Sequence, residues 1–134
     1  MGLRRKGREL ALQLLFQLHF NQDDIPGSID IFWENQPECL PEAREFARIL
    51  VAGTLDNLSA IDALIEKYAE NWEIGRMAIV DRNILRFAVF ELRFKQDIPP
   101  KVTINEAIEI AKKYSTPDSS RFINGILDKI AKQS

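Results

Sequence analysis

The stretch that decides the fold is Ile79-Val-Asp-Arg-Asn-Ile-Leu-Arg-Phe-Ala-Val-Phe-Glu-Leu92. At helical spacing its apolar side chains cover most of the circumference, and a helix of this kind is typical of the middle of a helical bundle. Four charged residues of this helix are therefore predicted to lie on the surface that the bundle leaves to it: Asp81, Arg82, Arg86 and Arg93.

The rest of the chain also carries apolar residues at helical spacing, and no stretch shows the sustained alternation of a half-buried strand. We therefore predict an all-α protein of about seven helices in two sub-bundles. Breaks are expected at Asn21–Asp24, Gln36–Pro41 and Lys95–Pro100. The pattern around residues 56–59 leaves open whether one bent helix or two separate helices pass through this point.

Two helix starts have sequence signals of their own. Thr103 and Glu106 have the spacing of a capping box, which predicts that a helix begins at Thr103. Thr116 followed by Pro117 has the pattern of an N-cap residue and a proline at the first helical position, which predicts the start of the last helix.

Length and composition favour one small intracellular domain. With 134 residues, 46% of them apolar, the chain can bury one good core, so we predict a single domain over residues 1–134. The lone cysteine, Cys39, has no partner for an internal disulfide, which favours a reducing compartment, the cytoplasm. No apolar run approaches the ~18 residues of a membrane span, and no signal-peptide pattern is present, so no membrane partner is expected.

Positive charge is concentrated at the amino-terminal end. Residues 1–20 hold four basic residues and one acidic residue, a net charge of +3, whereas the rest of the chain holds 14 basic and 19 acidic residues, a net charge of −5. An acidic body with a basic tip indicates a local contact with an anion, because a protein that coats nucleic acid would be basic over a broad surface.

The sequence offers little for catalysis, so we expect no enzyme activity, no cofactor and no metal. His19 is the only histidine, and the six glycines form neither a P-loop nor a dinucleotide-binding fingerprint. Asp23 and Asp24 are interpreted as capping a turn in preference to acting as a pair of acid–base carboxylates.

The first helix combines a cationic start with an apolar face. At about 100° per residue, Arg4, Arg8 and Arg5 fall at roughly 0, 40 and 100°, which makes a compact guanidinium patch beside the inward face. The planar fork of arginine suits phosphate. The alternative is a solvated, partly frayed terminus, and Gly7 in the middle of the cluster is expected to loosen this first turn.

Phe16 and Phe20 lie well off the apolar stripe of the same helix. Two interpretations remain open. The two rings pack beneath the following short helix, or they are exposed and mark an interface with a partner.

Four segments together closely resemble the bacterial transcription antitermination factor NusB family. They are Arg-Arg-Lys-Gly-Arg-Glu-Leu-Ala-Leu-Gln-Leu-Leu-Phe (4–16), Val-Asp-Arg-Asn-Ile-Leu-Arg-Phe-Ala-Val-Phe-Glu-Leu (80–92), Val-Thr-Ile-Asn-Glu-Ala-Ile-Glu-Ile-Ala-Lys-Lys-Tyr (102–114) and Ser-Arg-Phe-Ile-Asn-Gly-Ile-Leu-Asp-Lys (120–129). Each segment alone is a weak signal, but all four follow one another in the family's order along essentially the full chain.

The resemblance implies an all-α fold of two three-helix sub-bundles, here sharing the central apolar helix, and no catalysis. It implies binding to the single-stranded boxA element of nascent RNA, notably in ribosomal RNA leaders. Binding would be joint with NusE, a small-subunit ribosomal protein, and would help the elongating RNA polymerase resist termination. A homodimer is a further possibility, because some family members are dimeric.

The resemblance also assigns surfaces residue by residue. The residues implied to bind RNA are Arg4, Arg5, Lys6, Arg8, Asp118, Arg121 and Phe122. The NusE-facing residues are Phe16, where relatives often have tyrosine, and Asp81, where many have glutamate. Two of these positions also have purely structural explanations: Asp118 offsets a helix dipole, and Phe122 has the spacing of a core residue. The alternative function is a helical scaffold that associates with itself or other proteins without RNA.

Overall fold

The computed structural model describes residues 2–70 and 72–133, which contain seven α-helices, one 3₁₀ turn and no strand. The α-helices are α1 (Leu3–Phe20), α2 (Ile25–Glu34), α3 (Pro41–Asp56), α4 (Leu58–Tyr68), α5 (Ile79–Phe94), α6 (Pro100–Tyr114) and α7 (Pro117–Lys132), and the 3₁₀ turn is Ile74–Arg76. The prediction of an all-α fold with seven helices is confirmed. No helix in this part of the chain is long and apolar enough to cross a membrane.

Contacts divide the chain into two compact units, residues 1–52 and 53–134, and the division falls within α3. The amino-terminal unit contains α1, α2 and most of α3, whereas the carboxy-terminal unit contains α4 to α7. The prediction of a single domain over residues 1–134 is not tested by this division and stays a prediction.

Helix α1 buries the apolar face that the helical spacing predicts, and over residues 7–12 it is buried on all sides. The buried residues of that helix include Ala11, Leu14, Leu15 and Leu18. Gly7 is also buried, and a Cβ atom there would lie 3.0 Å from both the carbonyl oxygen of Ala43 and the Phe46 ring. The missing side chain of Gly7 allows α1 to approach α3 closely. The expectation that Gly7 loosens the first turn is not tested by the helical geometry of α1 and stays a prediction.

In the carboxy-terminal unit α5 packs against α4, α6 and α7, and its side chains are buried from Asn83 to Glu91 with the exception of Arg86, which is half-buried. The prediction that the charged residues of α5 lie on its surface is only partly right. Arg86 makes a bidentate ion pair with Asp62 of α4 at 2.8 and 2.9 Å, and Asp81 is buried. Polar groups in a helix interface need such partners because a desolvated charge is otherwise costly.

Most of the predicted helix boundaries are confirmed. Asp24 caps α2 by accepting a hydrogen bond from the backbone N–H of Gly27 at 3.0 Å. Thr116 caps α7 by accepting from the N–H of Ser119 at 3.1 Å, with Pro117 as the first helical residue. The open question near residue 57 is resolved in favour of two helices, because α3 ends at Asp56 and α4 begins at Leu58.

The predicted capping box at Thr103 is wrong. Helix α6 begins three residues earlier, at Pro100, whose fixed φ angle suits the first helical position. Thr103 is therefore inside the helix and buried, and its hydroxyl donates to Oε1 of Glu91 on α5 at 2.8 Å. A threonine with the spacing of a cap serves here as a buried polar link between α5 and α6.

Candidate functional site

The cationic start of α1 lies in the amino-terminal unit. Arg4 and Lys6 are exposed and Arg5 is half-buried. The guanidinium carbon of Arg4 lies 5.2 Å from the centre of the Phe46 ring, within the range of a cation–π contact. These three residues therefore place positive charge at the surface of one helical turn, where it can meet an anionic ligand.

Arg8 differs from the other cations of this helix because it is only 2% exposed. Its guanidinium carbon also lies 5.2 Å from the centre of the Phe46 ring, so the Phe46 ring contacts two arginines one turn apart. The interpretation of Arg8 as part of an accessible patch is corrected by this burial. Its spacing gives the reason, since Arg8 precedes the buried Ala11, Leu12 and Leu15 by three, four and seven residues.

Phe16 and Phe20 are both exposed, by 38% and 60% respectively. Their ring centres lie 5.3 Å apart in an edge-to-face arrangement, and the His19 ring meets Phe20 at 4.9 Å. The structure thus decides between the two interpretations in favour of an exposed aromatic patch, which we call the α1 aromatic patch and define as Phe16, His19 and Phe20.

Asp81 lies in the first turn of α5, at the centre of a hydrogen-bond network in the carboxy-terminal unit. Its Oδ1 accepts from the Ser115 hydroxyl and its Oδ2 from the Ser119 hydroxyl, both at 2.7 Å. The Ser119 hydroxyl also contacts that of Thr116 at 3.0 Å. Asp81 thus connects α5 to the start of α7, although a carboxylate retains acceptor sites beyond the two in use.

Two of the predicted RNA-binding residues pair with each other at the start of α7. Asp118 and Arg121 form an ion pair one turn apart, and their side chains are 90% and 75% exposed. Exposed pairs of this kind contribute about 0–1 kcal/mol, so either partner can exchange this contact for a ligand at low cost. Asp118 is also the acidic residue of the first helical turn, where a carboxylate offsets the helix dipole.

Phe122 is half-buried and meets Trp72, with ring centres 6.0 Å apart and planes at 68°. Both residues line two neighbouring grooves, one of about 320 Å³ and one of about 290 Å³. The first groove brings together the predicted residues Asp81, Asp118 and Phe122. Trp72 was missed by the sequence interpretation, although a tryptophan in a non-helical segment between two helices was a usable signal.

The loop that carries Trp72 into α5 is held by three hydrogen bonds. The guanidinium group of Arg82 donates to the carbonyl oxygens of Gly75 and Met77 at 3.2 and 2.9 Å. Glu66 of α4 accepts from the N–H of Ile74 at 2.9 Å. Burial, with the nearby charge of Arg86, lowers the pKa of Arg82.

The predicted site residues therefore fall into two groups. Arg4, Arg5, Lys6, Arg8 and Phe16 belong to the amino-terminal unit, and Asp81, Asp118, Arg121 and Phe122 belong to the carboxy-terminal unit. Over residues 2–70 and 72–133, the side chains form no group of three or more histidine, cysteine, aspartate or glutamate residues that could hold a metal ion. What the two groups offer is positive charge, exposed rings and paired hydrogen-bonding groups, which suit binding.

These features define a class of small all-helical proteins that present a cationic helix end. The model of the NusB family matches residues 5–132. The transcription antitermination protein NusB of Thermodesulfovibrio yellowstonii is 48% identical over 139 aligned positions, which cover 97% of this chain and 92% of that protein. The chain belongs to the NusB family.

Solved structures agree with this assignment. The structure of T. maritima NusB is 46% identical, with a TM-score of 0.87 over 97% of this chain and 91% of that chain. A chain in the crystal structure of antitermination factors NusB and NusE in complex with dsRNA is 28% identical, with a TM-score of 0.89 over 100% and 99% of the two chains. The fold and the family are thus shared along essentially the whole sequence.

Proposed function

We propose that the chain is an RNA-binding transcription antitermination factor. With NusE it binds the boxA element of nascent RNA, notably in ribosomal RNA leaders, and it helps RNA polymerase resist termination. It acts in the cytoplasm, without catalysis and without a cofactor. The observation that carries the proposal is the cationic start of α1, where Arg4, Arg5 and Lys6 lie at or near the surface in a member of the NusB family.

RNA contacts the protein through both groups of residues. Arg4, Arg5 and Lys6 contact phosphates, and Asp118, Arg121 and Phe122 contact the strand at the start of α7. Arg8 has a different role from the one its charge alone indicates, because it is buried. We assign it to holding Phe46 and the first turn of α1 in place beneath the accessible cations.

The need for a protein partner follows from the number of cations. Three cations that neutralise three phosphates of a single strand give a salt slope of about −2, which is too little electrostatic attraction for tight binding alone. NusE supplies further contacts and docks on Phe16 and Asp81. Phe16 presents an exposed ring, and Asp81 has acceptor sites left after its two serine hydrogen bonds.

The RNA form is single-stranded, because bases of a single strand can be unstacked and read on their edges, whereas the deep groove of duplex RNA hides them. One similar structure is described as a complex of NusB and NusE with dsRNA, so the duplex is the form to compare. We expect single-stranded boxA RNA to bind more tightly than the same sequence annealed to its complement, with NusE present in both titrations.

The test of the proposal is a salt-dependent titration of labelled boxA RNA with NusE present. Arg5→Ala is expected to weaken binding and to make the salt slope shallower by about 0.7, since one phosphate contact is lost. Lys101→Ala, at an exposed lysine in the carboxy-terminal unit, is the control. If Arg5→Ala leaves the affinity and the slope at the wild-type values, the cationic start of α1 is not the RNA contact.

A second candidate function is a helical scaffold that associates with itself through the α1 aromatic patch. The exposure of Phe16 and Phe20 favours it. In this case Phe20→Ser changes the elution volume in size-exclusion chromatography at two protein concentrations. Leu40→Ser, at a residue of similar exposure, does not. If the elution volume of the wild type is the same at both protein concentrations, this candidate function is excluded.

A further inference from the structure

Trp72 is a large aromatic side chain that the fold leaves half in solvent. It is 52% exposed, whereas the other tryptophan, Trp33, is only 5% exposed. A large ring left at a surface marks a contact site more often than a smaller apolar residue does. Its one described ring contact is the edge-to-face approach of Phe122, so the pair forms a ridge between the two grooves.

The ridge has rigid support. The loop after Trp72 is held by the hydrogen bonds of Arg82 and Glu66 to its backbone. Phe122 lies on α7, whose start is fixed by the Thr116 cap. A platform of this kind can accept a flat ligand without having to order itself first, which lowers the entropic penalty of binding.

The charges along the grooves favour a neutral ligand over an anion. Three acidic and three basic side chains line them: Glu70, Asp81, Asp118, Arg76, Arg121 and Lys129. This balance does not suit a phosphate, which the carboxylates would repel. It suits a neutral planar group with both donors and acceptors on its edge, and a nucleobase is such a group. Volumes of about 320 and 290 Å³ are at the small end of the range for ligand sites, so each groove holds a single small group.

We propose that Trp72 stacks on one unpaired nucleobase of the bound RNA, while Asp118 and Arg121 bond to the edge of that base. The carboxylate accepts from an amino group, and the guanidinium donates to a carbonyl or ring nitrogen. This inference rests on the proposed function. It gives the two groups of residues different tasks, since the cations of α1 supply salt-dependent attraction and the Trp72 ridge reads a base.

The experiment measures binding of labelled single-stranded boxA RNA to the full chain with NusE present. Removing a base–aromatic stack by substitution with alanine weakens binding about 5- to 150-fold, so this is the effect expected for Trp72→Ala. The salt slope stays at the wild-type value, since no phosphate contact is lost. Phe94→Ala is the matched control, because Phe94 is a 51% exposed ring in the same unit.

Two more variants separate stacking from support of the fold. Trp72→Leu keeps apolar contact with Phe122 but has no ring, so it should bind as weakly as the alanine variant. Trp72→Phe keeps a ring and should retain most of the affinity. If the leucine variant binds as tightly as the phenylalanine variant, Trp72 supports the structure and the inference is overturned.

An abasic scan of the RNA locates the stacked base. Each boxA nucleotide is replaced in turn by an abasic nucleotide and titrated against the wild type and Trp72→Ala. At one position of the RNA, the wild type and Trp72→Ala should bind the abasic RNA with equal affinity, because the base that stacks on Trp72 is absent. If Trp72→Ala weakens binding to the same extent on every abasic RNA, no single base stacks there, and the inference fails.

Other outcomes distinguish this inference from the proposed function. If Trp72→Ala binds RNA like the wild type while Arg5→Ala binds weakly, only the stacking role of Trp72 is refuted. If Trp72→Ala weakens NusE binding measured without RNA, the ridge is a protein-docking surface, which also refutes it. If the wild type with NusE binds no RNA, the proposed function and the inference fall together.

Discussion

Gly53 and Gly125 are both inside α-helices, yet the structure predicts opposite effects for their replacement by alanine. A Cβ atom at Gly53 would lie 2.1 Å from both Cε1 and Cζ of the Phe90 ring. A Cβ atom at Gly125 would meet nothing within 4 Å. The pair therefore tests the close approach of Gly53 on α3 to the Phe90 ring on α5.

The magnitudes follow from packing and helix propensity. Carbon atoms in contact are about 3.5–4.0 Å apart, so Phe90 would have to move by roughly 1.5 Å to accept alanine at Gly53. Phe90 is buried and stacked on Phe94 at 5.4 Å, which restricts that movement. Overpacking costs about 1–3 kcal/mol and helix propensity returns about 1 kcal/mol, so Gly53→Ala should lower the free energy of unfolding by about 0–2 kcal/mol. Gly125→Ala should raise it by about 1 kcal/mol.

The assay is equilibrium unfolding in urea, with circular dichroism as the probe and the m-value required to stay constant. A double-mutant cycle identifies the cause, because Gly53→Ala should cost less when Phe90 is already leucine. A Gly53→Ala protein that is as stable as Gly125→Ala would refute the close approach of Gly53 to the Phe90 ring.

Two further predictions concern ion pairs in the carboxy-terminal unit. Arg86→Lys keeps the charge but loses the bidentate contact with Asp62, whose side chain is 21% exposed. The free energy of unfolding in urea should therefore fall by about 1–2 kcal/mol. Lys112→Gln, at an exposed ion pair, is the control and should change that free energy by less than about 0.5 kcal/mol. A hydrogen bond from Lys129, with its charge, lowers the pKa of Glu70 below its ordinary value of 4.5, so the stability this pair gives is present above that value and is lost as the pH falls through the lowered pKa. Thermal unfolding of Lys129→Gln should therefore depend less on pH in the acid range than that of the wild type, and equal dependence in both proteins would contradict the assignment.

Local sequence signals predicted most helix positions and boundaries correctly, because each of these signals depends on only a few neighbouring residues. Proline and threonine at the start of α7 and the apolar circumference of α5 are signals of this kind. The capping box at Thr103 failed because α6 begins three residues earlier, at Pro100, and the hydroxyl of Thr103 bonds to Glu91 on another helix. A capping pattern is local, so it cannot show that the hydroxyl donates a hydrogen bond to a carboxylate on another helix.

The candidate site was less predictable for a similar reason. Charge alone put Arg8 with the surface cations, whereas Phe46, 38 residues further on, covers its guanidinium group. The resemblance to the NusB family supplied Asp118, Arg121 and Phe122. It did not supply Trp72, whose position next to Phe122 depends on how the loop after α4 packs on α7.

The contact of Phe46 with both Arg4 and Arg8 has a consequence for the thermodynamics of ligand binding. A free arginine side chain gives up about 1.5–2 kcal/mol of rotamer entropy when it is fixed. Because the ring restricts both side chains in the free protein, part of that loss is incurred during folding. An anion that binds at the first turn of α1 thus meets arginine side chains that already have fewer accessible rotamers. Calorimetry should therefore show a smaller entropic penalty of anion binding for the wild type than for Phe46→Leu.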